Sequence, residues 1–251
     1  MKRILLKIGY DGTAYHGWQV QPNGVTVQST LQDAIEKMLG KRLEVTGCSR
    51  TDAGVHAREF CCHIDCDDNL PESAFVRGVS ALLPPDIAVF SAKEVPSDFH
   101  ARYDAKGKTY IYRILNRNIK DPFLSRYTWQ IERKLDVERI NEFCKAIEGK
   151  HDFCAFSSAN RTVEDTVRTV SSCFAERSGD IVSLSITADG FLYNMVRIIV
   201  GTAVSVSDGK INPSDIAQIL HSKARDKAGI TAPPQGLILD KVYYQESELN
   251  A

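Results

Sequence analysis

The chain of 251 residues predicts an α+β protein built as two tandem ferredoxin-like halves, residues 1–100 and 101–251. Three observations carry that prediction. Short segments rich in Val, Ile and Tyr alternate apolar with polar residues, the period of half-buried strands, and between them the apolar residues switch to helical spacing. The first half reads strand, helix, strand, strand, helix, strand. After a linker around 96–100 the same order returns, although the residues themselves do not repeat.

Residues 2–10 read as the first strand, with Ile4, Leu6, Ile8 and Tyr10 on one face and Asp11-Gly12-Thr13 breaking it. In the loop that follows, Tyr15 to Pro22, either the aromatics simply cap the core or the His and Gln beside them reach a nucleic acid. Thr26 or Ser29 caps a helix ending near Leu39, because Val27, Leu31, Ala34, Ile35 and Met38 recur on one face. Segments 42–48 and 58–66 are strands. Pro71 opens a second helix through Phe75, Val79, Leu82 and Leu83, Pro84-Pro85 ends it, and 86–95 is a further strand.

In the second half, 105–116 is a long strand and 117–134 a loop with little periodicity. A helix at 136–149 turns Val137, Ile140, Cys144 and Ile147 inward. Segments 166–177 and 180–188 form a hairpin across Ser178-Gly179, and 191–207 is a helix apolar nearly all round. Pro213 begins a short extra helix and 236–245 is the closing strand. Two such ferredoxin-like (RRM-like) halves, sharing a broad, mainly antiparallel sheet with helices on one face, leave the other face bare and a cleft between the halves. A bare face of that breadth suits an RNA stem better than a small molecule.

With 43% hydrophobic and 25% charged residues the composition is that of an ordinary globular protein. It excludes a disordered chain, no apolar run approaches the length of a membrane span, and the N-terminus Met1-Lys2-Arg3-Ile4-Leu5-Leu6-Lys7 interrupts its apolar residues with charge too early for a signal peptide, so a cytoplasmic location is expected. Seven cysteines without a CxxC pair fit neither a disulfide framework nor a zinc ribbon. In the cluster Cys61-Cys62-His63-Ile64-Asp65-Cys66, strand alternation splits the metal-binding types between two faces, which favours buried thiols over a metal site. The 31 basic and 32 acidic residues balance overall, but Arg102, Lys106, Lys108, Arg113 and Arg117 gather around Tyr103, Tyr110 and Tyr112 with Asp104 as the single acid. Such a stretch either grips phosphates and bases or is a solvated strand, and its alternation prevents all its cations from facing one way.

The chemistry concentrates in Cys48-Ser49-Arg50-Thr51-Asp52-Ala53-Gly54-Val55-His56-Ala57. A plain strand connection needs Asn-Gly or Asp-Gly, so a cation, hydroxyl, carboxylate and imidazole together exceed what a turn requires. Asp52 is its only carboxylate, which leaves no local carboxylate pair. Cys48 or Ser49 with His56 would lack an orienting third residue and an oxyanion nest, so His56 is expected to hold the loop in shape. Arg197 is the one charge on the apolar 191–207 segment. It either pairs with Asp52, holding that carboxylate ionised, or snorkels to the surface.

Arg50-Thr51-Asp52-Ala53-Gly54-Val55-His56-Ala57 resembles the active-site motif of the A-type tRNA pseudouridine synthases (TruA). The likeness continues through Tyr10-Asp11-Gly12-Thr13, Gly17-Trp18-Gln19, Phe99-His100-Ala101-Arg102, Lys108-Thr109-Tyr110, Met195-Val196-Arg197 and Ala232-Pro233-Pro234, in the family's order over almost the whole chain. Ser49 departs from the family, which usually has glycine there. The resemblance implies isomerisation of uridine to pseudouridine on the 3′ side of the tRNA anticodon stem-loop, positions 38–40, by a cytoplasmic homodimer that needs no metal or other cofactor. It implies Asp52 as the catalytic aspartate, nucleophile or base. Arg50 then fills or steers the space vacated by the flipped base, Tyr110 stacks on that base, and Arg197 and Leu237 belong to the substrate site.

Overall fold

The computed structural model describes residues 1–67, 70–158 and 164–245. Its packing divides the chain into two units, Met1–Lys106 with Ile238–Ala251 and Gly107–Leu237. Both are mixed α/β units whose sheets are mainly antiparallel.

Unit 1 begins with β1 (Lys2–Tyr10), whose alternate residues Ile4, Leu6, Ile8 and Tyr10 are all buried. α1 (Val27–Leu39) starts at Thr26, whose Oγ1 accepts from Ser29 N while the Ser29 side chain accepts from Thr26 N, so two orphan donors are satisfied reciprocally. Val27, Leu31, Ala34 and Ile35 form its buried stripe. β2 (Thr46–Gly47) is far shorter than the expected 42–48 strand, and β3 (His56–Cys66) is longer than expected. The second helix is composite: α2 (Glu72–Ala74), a π-wound turn (Phe75–Val79) and α3 (Ser80–Leu82). It closes on α1 at Gly78, where a methyl group would stand 2.6 Å from Met38 Sδ. β4 (Ile87–Val95) completes the expected order over residues 2–95. β1 lies between β4 and β3, antiparallel to both, with Leu6 opposite Cys62 and Ala92.

Unit 2 opens with β5 (Gly107–Leu115). The segment read as an unstructured loop contributes β6 (Trp129–Gln130), parallel to the end of β5. α4 (Val137–Ile147) starts at Asp136, whose carboxylate accepts from Arg139 N. Gly149, expected as the helix end, instead starts β7 (Gly149–Asp152), with φ +100 and pairing to Val170. β8 (Val167–Ser178) and β9 (Ile181–Ala188) form the expected hairpin, and the sheet runs β5-β9-β8-β7. Asn141 of α4 grips β8 by accepting from Ala175 N at 2.7 Å and donating to Ala175 O at 3.0 Å.

α5 (Met195–Ser207) begins later than its apolar run because Asn194 takes a left-handed φ of +60 just ahead of it. Its apolarity on every side has a structural cause. Besides α4, the chain near residue 230 crosses it so closely that a methyl on Gly201 would lie 1.8 Å from Ile230 O. Gly229 N donates to Thr202 Oγ1 at 2.9 Å. α6 (Ile216–Ser222) follows a 3-10 turn at Pro213–Asp215. β10 (Leu237–Tyr243) then returns the chain to unit 1, where Ile238 and Leu239 pair in parallel with His56 and Ala57 of β3.

Candidate active site

The loop that carries Arg50 and Asp52 leaves β2 and enters β3, and the backbone after β1 presses against it. Trp18 N donates to Thr51 O at 3.1 Å, Gly54 N donates to Tyr15 O at 3.3 Å, and Cys48 N donates to Cys61 O at 2.8 Å. Buried Thr51 shares a 2.9 Å hydroxyl hydrogen bond with Tyr10. Two glycines permit this close approach. A methyl on Gly12 would stand 2.0 Å from Val55 O, and Gly17, at φ +85, would place one 2.4 Å from Thr51 O.

His56, only 3% exposed, locks the loop's exit. Its Nδ1 accepts from Gly12 N at 3.0 Å and lies 3.1 Å from Asp11 Oδ1. That oxygen also accepts from Thr13 N and Oγ1, so His56, Asp11, Gly12 and Thr13 form one small polar cluster at the loop's exit. The histidine is therefore spent on loop shape, as expected from the sequence.

Held from both ends, the loop leaves Arg50 exposed and Asp52 half-buried. The apex turns on Gly54 at φ +76, with Val55 N donating to Asp52 O at 3.1 Å. A fixed backbone with an accessible carboxylate and guanidinium can present a base or nucleophile beside a cation that meets an anionic ligand.

Unit 2 holds Tyr110, Arg197 and Leu237, each among its own neighbours. Tyr110 is buried on β5, opposite Ile186, and makes an edge contact with Phe191 at 5.0 Å between centroids. Arg197 donates from Nε to Ala232 O at 2.7 Å and from Nη1 to Asn194 Oδ1 at 2.9 Å, so Asn194 is oriented for the arginine and caps nothing. Tyr112, buried beside Tyr110's strand neighbours, donates to Pro233 O at 2.7 Å. A methyl on Gly236 would stand 2.6 Å from Tyr112 Cζ. Leu237, directly after Gly236, is buried.

Of the basic cluster, Arg102 and Lys106 are exposed, Arg113 is half-buried and Lys108 is buried. Cys61, Cys62 and Cys66 are buried thiols, and burial pushes Cys61 and Cys62 well above the ordinary thiol range. Among the described residues no cluster of three metal-binding side chains occurs, and no helix is long and apolar enough to cross a membrane. The loop's supports Tyr10, Gly12 and Gly17 were not among the residues singled out from the sequence by chemistry. Their only signal was the Tyr10-Asp11-Gly12-Thr13 and Gly17-Trp18-Gln19 likeness.

The family profile described as tRNA pseudouridine synthase matches residues 8–104 and 143–245, which include the Asp52 loop, its supports and the Arg197 helix. The chain belongs to the tRNA pseudouridine synthase family. It is similar to tRNA pseudouridine synthase A of Citrifermentans bemidjiense, with 48% identity over 248 residues covering 98% of this chain and 99% of that one. It is also similar to tRNA pseudouridine synthase A 2 of Clostridium perfringens, 46% identical over 245 residues and covering 97% of this chain and 100% of the relative. A tRNA pseudouridine synthase A of a Thermoanaerobacter species is 45% identical over 244 residues, with the same coverage. The family consists of isomerases that convert uridine to pseudouridine.

Proposed function

We propose that this protein isomerises uridine to pseudouridine in tRNA on the 3′ side of the anticodon stem-loop, at positions 38–40, with Asp52 as the essential group. What carries the reading is the Arg50–Asp52 loop, pinned by Tyr10, Gly12 and Trp18 and bearing a half-buried carboxylate beside an exposed guanidinium, in a chain of this family. The reaction exchanges the sugar's bond to nitrogen 1 of uracil for a bond to carbon 5. The freed nitrogen takes up a proton and carbon 5 gives one up, so atoms balance without oxidant or reductant. Asp52 acts on the sugar as nucleophile or base. Arg50 occupies the space left by the extruded nucleotide, Tyr110 stacks on the base, Arg197 binds the substrate, and Leu237 lines the base site. Arg102, Lys106 and Arg113 supply phosphate contacts. Each unit is of ferredoxin-like type, and the enzyme works in the cytoplasm as a homodimer without a cofactor.

The test is incubation of unmodified tRNA with the protein and detection of pseudouridine by chemical labelling, since isomerisation leaves the mass unchanged. Pseudouridine without strand cleavage or free base is expected, and Asp52→Asn should abolish it. Normal turnover by Asp52→Asn would overturn the role of this carboxylate. Light scattering tests the homodimer.

A further inference from the structure

Tyr103 is a large aromatic side chain left 75% exposed, in a turn that the described catalytic residues do not use. The turn beneath it is built with unusual care. His100 lies against the ring at 4.2 Å between centroids and 35° between planes. Its imidazole is fixed because Nδ1 accepts from both Arg102 N at 3.1 Å and Tyr103 N at 3.3 Å. Asp104 closes the turn by accepting from His100 N at 2.7 Å.

The base of the turn is anchored in the interior. Ala101 is completely buried, its N–H donates to His63 Nδ1 at 3.2 Å, and its carbonyl accepts from Tyr244 Oη at 2.8 Å. Phe99 O accepts from Arg3 Nη1 at 2.8 Å while Arg3 holds Asp65 by two hydrogen bonds of 2.7 Å. Above this foundation the Arg102 guanidinium stands 5.8 Å from the Tyr103 centroid. An aromatic face already held in place loses little freedom when a second ring lies on it, and an adjoining arginine adds a cation for a phosphate.

We propose that residues 100–104 form a preformed stacking platform for an unpaired base of the RNA substrate, with Tyr103 beneath the base and Arg102 on the neighbouring phosphate. This rests on the reading of the chain as a tRNA-modifying enzyme. Tyr103 is a binding residue, distant in role from the carboxylate chemistry of Asp52.

The experiment measures turnover of unmodified tRNA, and binding of the same tRNA by full-length protein carrying Asp52→Asn, over a salt series. Tyr103→Ala should weaken RNA binding at least about fivefold and raise KM by a similar factor. Tyr103→Phe, which keeps the ring, should restore affinity. Arg102→Ala should reduce the slope of log affinity against log salt by about one. If the wild type forms no pseudouridine, the functional reading fails and the platform with it. If the wild type is active and Tyr103→Ala binds RNA equally well, the platform alone is overturned. A change of oligomer size in Tyr103→Ala, seen by light scattering, would assign the ring to a contact between copies and overturn it too.

Discussion

Acidification should cost this protein stability through His63 before its ion-paired carboxylates protonate. His63 is 5% exposed and its Nδ1 accepts the Ala101 N–H, so the fold uses it as a neutral acceptor. Burial first, then the charges of Arg3 and His100, bring its pKa from 6.5 down to about 4, against the weaker opposite pull of Asp65 and Asp104. The unfolded chain restores the ordinary value and therefore binds the proton first. The contribution is complete above pH 6.5 and drains away as pH falls toward about 4. A displacement of that size corresponds to about 3 kcal/mol, a large share of a domain's net stability. Asp65 and Asp208 are held below the usual carboxylate range by Arg3 and Arg133, so their losses fall at lower pH. The assay is urea denaturation across this pH window for the wild type and His63→Asn, whose side-chain oxygen keeps an acceptor near Nδ1 without a titrating group. The wild type should lose about 3 kcal/mol more than the variant. Parallel losses in the two proteins would refute the reasoning.

Gly12→Ala tests whether loop shape governs activity. The added methyl meets backbone, 2.0 Å from Val55 O, so the catalytic loop must shift, and turnover should drop about a hundredfold while circular dichroism still reports a folded chain. Retained turnover would dismiss that coupling. Arg197→Met removes the hydrogen bonds to Ala232 O and Asn194 Oδ1, at a cost of about 1–3 kcal/mol, and should abolish pseudouridine formation with the fold intact. A fully active Arg197→Met would remove Arg197 from the site.

Strands and helices with strong periodicity were legible in the sequence: β1, α1 and the β8–β9 hairpin fall within a residue or two of their expected bounds. Elements fixed by tertiary contact were not. β6 has two residues and exists through its parallel pairing with β5, and β7 was hidden by helical spacing that runs on to Gly149. The start of α5 was masked because Asn194 turns left-handed within an unbroken apolar run. At the site, Asp52 and Arg50 stood out by chemistry, whereas Tyr10 looked like a core strand residue. Its hydroxyl contact with Thr51 depends on a fold that joins residues 41 positions apart. Lys108 shows the limit of composition: a lysine in a basic stretch is buried on β5.

The parallel pairing of β10 with His56 and Ala57 gives biosynthesis a direction. Unit 2 is one continuous segment, complete before the strand that closes unit 1 has been translated. Folding during synthesis must therefore hold the N-terminal sheet open on one edge while more than half the chain emerges. The exit of the Asp52 loop receives this strand only after all of unit 2 has been translated, so a chain terminated before residue 237 would carry every residue of the motif without the strand that flanks it.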